Sequence, residues 1–72
     1  MKFWTIETKA TEEVIGCEMT KKAAVEAAAK MGFDRSEIIL STHEVAVTAE
    51  NIRRLLGNIG GYCDKSTWPD EL

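Results

Sequence analysis

The chain has 72 residues, of which 44% are hydrophobic and 29% are charged, with a formal net charge of −3. This length suits one domain near the lower size limit for independent folding, and the composition is that of a folded globular protein. The mild negative charge lacks the electrostatic footprint that holds a protein on nucleic-acid phosphates. No apolar run approaches the roughly 20 residues of a membrane span, and the N-terminal sequence MKFWTIETK is too polar for a signal peptide. We therefore expect a cytoplasmic protein that contacts no membrane and binds no nucleic acid directly.

Residues 2–8 and 13–18 predict the two strands of an antiparallel hairpin. β-branched and aromatic residues dominate the first segment, and its two faces carry the aromatic residues Phe3 and Trp4. One of these faces is therefore expected to meet something other than the domain's own core. The second segment, EVIGCE, contains Gly16, which indicates a β-bulge or a close approach by another element.

The next segment, residues 20–33 with the sequence TKKAAVEAAAKMGF, is predicted to be a helix. Its alanines have the highest helix propensity, Thr20 is a good N-cap, and Gly32 can adopt the left-handed conformation that ends a helix. One side of the helix is a shallow apolar face. The other side is a polar stripe at i, i+4 spacing, formed by Lys22, Glu26 and Lys30. The bulky core residues must therefore come from the strands.

A third strand is predicted after this helix, and its continuation has two interpretations. Residues 37–41 (EIILS) contain three consecutive aliphatic residues, which indicates a strand covered on both faces. Residues 45–47 then form either a fourth strand, with Thr48 capping a helix from 49 to about 58, or part of one long helix opened by a capping box at 41–44. We favour the strand because Val45 and Val47 are β-branched.

Both interpretations contain a second helix with one apolar face, formed by Ile52, Leu55, Leu56 and Ile59. Residues 62–72 lack periodicity, so we expect a C-terminal tail that docks Trp68 either on the domain or on a partner. The predicted organisation is a single α+β domain at residues 1–61 followed by this tail. Its fold is a small antiparallel sheet of three or four strands packed on one face by two helices, in the order β-β-α-β-(β)-α.

Residues that carry catalytic or metal chemistry are few and scattered. Cys17, His43 and Cys63 have neither the spacing of a nucleophile with its base nor the close ligand pairs of a zinc site. The glycine-rich loops that bind phosphates are also missing from the sequence. We therefore expect no enzyme, no cofactor and no metal site, with both cysteines reduced and His43 in a surface turn.

Aromatic residues on the less buried face of the sheet and in the tail, together with the acidic residues of the hairpin, suggest a protein-binding surface. Trp4 and Trp68 would be its aromatic anchors, and its charged rim would be formed by Glu7, Glu12, Glu13 and Glu18. If the strand at 2–8 lies at the edge of the sheet, pairing with its own copy would make a homodimer. We therefore predict a non-enzymatic module that occupies the surface of a protein partner, such as a basic complex that binds nucleic acid.

Two resemblances bear on this prediction. In size and character the chain resembles the small acidic accessory proteins that phages encode, including inhibitors of bacterial defence such as anti-CRISPR proteins, although no motif carries that resemblance. The segment KKAAVEAAAKMGFDRSEII resembles a helix-turn-helix, with Gly32 at the turn followed by Phe33. It implies, as the alternative function, a small DNA-binding regulator that uses residues 21–41. Ser41 departs from the motif, which has an aliphatic residue there, and Arg35 is the one basic residue of the recognition helix that this motif would place at about 35–42.

Overall fold

A computed structural model describes residues 1–60 and 63–72. In this part of the chain the elements are β1 (Lys2–Thr8), β2 (Val14–Glu18), α1 (Lys21–Lys30), β3 (Ile38–Glu44) and α2 (Ala49–Asn58), with short 3₁₀ turns at Arg35–Glu37 and Lys65–Thr67. The strands form one antiparallel sheet in the order β2-β1-β3. The predicted α+β fold class is confirmed, with three strands. Neither helix is long and apolar enough to cross a membrane in the ranges described.

The central strand β1 is buried on both of its faces. Side chains alternate between the two faces of a strand, and Phe3 and Ile6 accordingly belong to two separate hydrophobic clusters. The cluster around Phe3 contains Cys17, Val45 and Leu55. The cluster around Ile6 contains Ala24, Ala28 and Ile38. Helix α1 thus covers the Ile6 face, whereas α2 covers the Phe3 face.

This arrangement corrects one prediction and decides which strands lie at the edges of the sheet. The two helices do not pack on one face of the sheet, because the bulky residues of β1 point both ways and each face needs its own cover. The strand at 2–8 is not an edge strand either, because β1 pairs with β2 on one side and with β3 on the other. A homodimer cannot form through β1 without breaking the sheet.

Helix α1 begins and ends where the sequence predicts. The Thr20 side chain accepts a hydrogen bond from the Ala23 backbone N–H at 3.1 Å. At the other end Gly32 has φ of 91°, and the Phe33 N–H donates to the Ala28 carbonyl at 3.0 Å. Phe33 then packs back against the cluster that contains Ala28. Helix capping and the left-handed glycine therefore fix the length of α1 and the direction in which the chain leaves it.

Gly16 lies next to a β-bulge and also allows another side chain to approach closely, and the sequence predicts both roles as alternatives. The register between β1 and β2 shifts between Ile6 and Glu7, so that β2 carries a bulge next to this glycine. A Cβ at Gly16 would lie 2.8 Å from the Cδ1 atom of Ile6. The glycine therefore makes room for the fully buried Ile6 side chain beneath α1.

Strand β3 runs further than predicted. Residues 42–44 pair with residues 2–4 of β1, so this stretch continues β3 instead of forming a turn or a helix. Beyond it Val45 makes only an isolated bridge with Glu71, so both the fourth strand at 45–47 and the long helix are wrong. Ile39 is 42% exposed, so β3 is not covered on both faces.

The structure of residues 35–42 contradicts the helix-turn-helix alternative. The residues that would form its recognition helix, at about 35–42, are instead a 3₁₀ turn followed by β3. The pairing of β3 with β1 along seven residues satisfies the backbone groups of β3 that face β1, and this pairing keeps the segment extended. Residues 21–41 therefore contain one helix and no second helix to enter a DNA groove.

Helix α2 has the predicted bounds, and Thr48 caps it by accepting from the Asn51 N–H at 3.1 Å. Its apolar residues do not share one buried face, however. Leu55 is buried, whereas Ile52 and Leu56 are 41% and 71% exposed. Because α2 alone buries so little, the rest of the Phe3 face is covered by the C-terminal tail, of which residues 63–72 are described.

Asn58 fastens this tail to the end of α2. Its side chain is 1% exposed and makes three hydrogen bonds. The Nδ2 group donates to the Arg54 carbonyl at 2.8 Å and to Thr67 Oγ1 at 3.1 Å, and Oδ1 accepts from the Asp64 N–H at 2.7 Å. Removal of the Asn58 side-chain amide would therefore eliminate all three hydrogen bonds.

Replacement of Asn58 by alanine is expected to lower the free energy of unfolding by about 2–3 kcal/mol, because it leaves buried polar groups without partners. Urea denaturation followed by tryptophan fluorescence would measure this loss. Asn51→Ala is the matched control on the same helix, since the Asn51 side chain makes one hydrogen bond, to the Ala46 carbonyl. Equal losses in the two variants would contradict a special role of Asn58.

Candidate functional site

The turn between β1 and β2 places two carboxylates at the tip of the hairpin. The Thr8 N–H donates to the Glu13 carbonyl at 3.0 Å, and the Glu12 N–H donates to the Thr8 carbonyl at 2.8 Å. Glu12 adopts a φ of 56°, which is an unusual conformation for a residue with a side chain. Glu12 and Glu13 are both exposed. Both side chains therefore lie at the surface of the hairpin tip.

A cleft of about 400 Å³ opens beside the hairpin tip. Its lining comes from the turn, from the start of β2 and from the C-terminal tail, and consists of Glu12, Glu13, Val14, Cys63, Lys65 and Trp68. Three of the residues predicted to bind a partner, Glu12, Glu13 and Trp68, therefore meet in one place. The sequence predicted each of them separately but gave no signal that the tail reaches the hairpin.

Trp68 is held in this cleft by its own domain. Its ring packs edge-on against Phe3, with ring centroids 5.7 Å apart and an interplanar angle of 78°. The Lys65 ammonium lies 5.8 Å from the centre of the Trp68 ring. The Arg54 guanidinium donates to the Trp68 carbonyl at 3.1 Å. Of the two predicted docking positions for the tail, the structure shows the one on the domain.

The other predicted binding residues are divided between the two ends of the hairpin. Glu7 lies opposite Val14 in the register, close to the tip, and is half-buried. Glu18 lies opposite Trp4, at the far end of β2. Trp4 is half-buried and packs against the Ile6 cluster under α1. The structure therefore groups Glu7 with Glu12 and Glu13, and separates Trp4 and Glu18 from them.

Glu18 lines a second cleft, of about 470 Å³, between β2 and α1. The floor of this cleft is formed by small and apolar residues such as Ala27 and Met31, and its charged rim includes Glu26 and Lys30. Lys30 therefore lines the same cleft as the carboxylates of Glu18 and Glu26. The hairpin tip differs in having its carboxylates adjacent and more exposed.

The carboxylates of the hairpin make no ion pair within the residues described. Two close contacts between basic and acidic side chains are present in those residues: the ion pair of Arg54 with Glu50 at 2.8 Å, and the hydrogen bond between His43 and Glu71 at 2.5 Å. Neither involves the carboxylates predicted to bind a partner, at Glu7, Glu12, Glu13 and Glu18. These four carboxylates are therefore not paired with a basic side chain of the described residues.

His43 lies in β3, so its predicted position in a surface turn is wrong. Its Nε2 atom is 3.0 Å from the Thr5 hydroxyl and its Nδ1 atom is 2.5 Å from a carboxylate oxygen of Glu71. The imidazole ring also stacks on Phe3 at 4.9 Å. Partners that lie 38 and 28 positions away leave no local signal in the sequence, which is why this network was not predicted.

A hydroxyl, an imidazole and a carboxylate in this order are the groups of a nucleophile, its base and an orienting acid. Thr5 is only 4% exposed, however, and lies in the middle of the central strand. Its hydroxyl lies on the Phe3 face of the sheet, so a substrate could not reach it without displacing the residues that cover this face. The network therefore serves to hold the C-terminal end of the chain against β3.

Within residues 1–60 and 63–72, no three His, Cys, Asp or Glu side chains converge as metal ligands would. No family model, curated protein or solved structure matches the chain. Its function is therefore argued from the contacts and charges of its own residues.

Cys17 and Cys63 are free thiols in the Phe3 cluster. Burial raises the pKa of Cys17 from 9.0 to about 12, and the neighbouring Cys63 thiol and Glu18 carboxylate contribute to the same shift. Burial likewise raises the pKa of Cys63. Both thiols are thus held in the protonated form, which is the unreactive one.

This raised pKa predicts a loss of stability at alkaline pH. An unfolded Cys17 ionises near its ordinary pKa of 9.0, whereas the folded thiol resists ionisation up to about 12. The stabilisation from the neutral thiol is complete below pH 9 and is lost as pH rises towards 12. Urea denaturation of the wild type should show a decline over this range that Cys17→Ala shows to a smaller extent. Parallel declines in the two proteins would contradict the assignment to Cys17.

Proposed function

We propose that the chain is a non-enzymatic protein-binding module whose acidic hairpin tip occupies a basic surface of a partner protein. One observation carries this proposal: Glu12 and Glu13 line one cleft at the hairpin tip, and the described part of the chain supplies no basic side chain at ion-pair distance from them. Glu7 lies near this tip, opposite Val14 in the register. A cationic surface of a partner meets these carboxylates without having to displace an ion pair within the described residues, so charge complementarity favours its binding.

The cleft beside the tip supports contact with Lys or Arg side chains of the partner. Both residues have an aliphatic stem that packs on apolar surface and a charged end that needs an anion. Val14 and Trp68 supply apolar surface, and Glu12 and Glu13 supply carboxylates. Lys65 lies on the Trp68 ring, so a partner's cation is placed on the carboxylate side of the cleft.

A protein that occupies a basic surface of its partner also blocks the binding of other ligands to that surface. A partner that uses this surface to hold nucleic acid would lose access to the phosphates while the hairpin is bound, because both ligands present clustered negative charge. We therefore keep a basic nucleic-acid-binding complex as the target, and an accessory inhibitor of the anti-defence kind as the biological role. The free thiols of Cys17 and Cys63 support a reducing compartment, which in this proposal is the cytoplasm.

Charge reversal at the tip tests the proposal. The double variant Glu12→Lys and Glu13→Lys is expected to slow association with the partner about tenfold or more, and to weaken the dependence of that rate on salt, because electrostatic steering is removed. The partner is first captured from host lysate on immobilised wild type and identified by mass spectrometry. Its association rate is then measured by surface plasmon resonance at several salt concentrations.

The matched control is Glu26→Lys with Glu44→Lys, which makes the same change in net charge at exposed positions on α1 and β3. Association of the control with the captured partner should remain close to that of the wild type. Equal rates for the wild type and the tip variant would refute a role of the hairpin. Equal slowing of association in both variants would show that the rate depends on the net charge of the protein and not on the hairpin tip.

A further inference from the structure

One row of side chains crosses the Phe3 face of the sheet at the end next to the hairpin tip. Residues directly opposite one another in paired strands point to the same face. Val14 and Ile39 are both opposite Glu7 in the register, one on either side of β1. Because alternate residues of a strand share a face, Glu7 lies on the same face as Phe3. The row therefore runs from β2 over β1 to β3.

The rest of the domain leaves this row partly open. Ile39 is 42% exposed, and Glu7 and Val14 are half-buried. The next row on the same face contains Thr5 and Cys17, which are only 4% and 2% exposed. The cover that α2 and the tail give to the Phe3 face thus ends before it reaches Glu7.

The row alternates in chemistry, with a carboxylate between two aliphatic side chains. Glu7 is half-buried but makes no ion pair within residues 1–60 and 63–72. Lys9, the nearest basic residue in the sequence, lines a separate cleft together with Phe33. A carboxylate that has lost part of its water and has no cation beside it favours a basic side chain from another molecule. Apolar side chains on either side of that cation would cover Val14 and Ile39.

The width of the row selects the kind of segment that fits it. Neighbouring strands lie about 4.8 Å apart, so Val14 and Ile39 are separated by about 10 Å across β1. Residues i and i+7 of an α-helix share a face and lie about 10.5 Å apart, with i+3 and i+4 between them. In an extended segment, apolar residues that flank a basic residue on one face are about 13 Å apart. A helix therefore matches the row, whereas an extended segment is too long.

We propose that this row binds a basic amphipathic helix of the partner protein. Apolar residues at i and i+7 of that helix pack on Val14 and Ile39, and Lys or Arg at i+3 or i+4 pairs with Glu7. Trp68, which lines a cleft with Val14, borders the helix on the side of the tail. The inference rests on the proposed function, because the helix belongs to the same partner whose basic surface the hairpin tip attracts.

A synthetic alanine-based helical peptide tests the site without the partner. It carries leucines at i and i+7 and arginines at i+3 and i+4. Added to isotope-labelled wild type, it should shift the amide resonances of Glu7, Val14 and Ile39 more than those of Glu18 and Glu26 in the cleft beside α1. A control peptide of equal composition, with leucines at i and i+5 on different sides of its helix, should bind about fivefold more weakly. Equal binding of the two peptides, or shifts centred on the α1 cleft, would overturn the proposal.

A single substitution in the row measures its contribution to binding. Ile39→Ser should weaken binding of the first peptide about fivefold, because less than half of the Ile39 surface remains to be buried. Leu56→Ser is the matched control, since Leu56 is 71% exposed on α2, and it should bind the peptide as the wild type does. Circular dichroism would establish that both variants are folded. Equal affinities of Ile39→Ser and the wild type would count against the helix site, and the resonance shifts of the wild type decide independently of any variant.

Rate measurements with the captured partner separate this inference from the proposed function. Ile39→Ser should raise the dissociation rate about fivefold and leave association close to that of the wild type, because packed contacts act on dissociation and charges act on association. An unchanged dissociation rate, together with slower association of the Glu12→Lys and Glu13→Lys variant, would overturn the helix site and leave the function standing. Unchanged association of that tip variant would refute the function, and faster dissociation of Ile39→Ser would still support the helix site.

Discussion

The structure depends on a central strand that is buried on both faces. Phe3 and Ile6 are both completely buried, although they point in opposite directions from β1. A chain of this length cannot cover two faces with large helices. It covers the Ile6 face with a helix whose alanines allow close approach, and the Phe3 face with one buried leucine of α2 together with the C-terminal tail. Both helices have ten residues, so the two faces differ in the small alanines that α1 contributes to one and in the tail that completes the other.

Local features of the sequence were sufficient for the elements and their ends. The two caps at Thr20 and Thr48, the left-handed Gly32 and the bounds of β1 and α2 all follow from interactions within a few residues. The errors arose where distant residues decide the structure. Residues 42–44 join β3 because β1 is available to pair with them, and this pairing outweighs the turn and helix preferences of the segment.

The candidate site was predictable in its chemistry but not in its assembly. Acidic residues before the first helix identify the hairpin as charged, and this can be seen directly in the sequence. Trp68 forms a wall of the cleft beside Glu12 and Glu13 because the tail packs across the sheet. No spacing of residues in the sequence predicts this path of the tail. The same limit applies to Thr5, His43 and Glu71, whose contacts span most of the chain.

The tail therefore belongs to the folding unit and to the candidate site at once. Trp68 completes the cluster around Phe3 and also lines the cleft at the hairpin tip, so its position is fixed by the core before any partner binds. Asn58 and His43 secure the tail on either side of this tryptophan, at Asp64 and Thr67 and at Glu71. A cleft wall that is part of the core needs little ordering when a partner arrives, which lowers the entropic cost of binding. In the proposed function, the acidic tip would therefore present its carboxylates beside an apolar wall that belongs to the core.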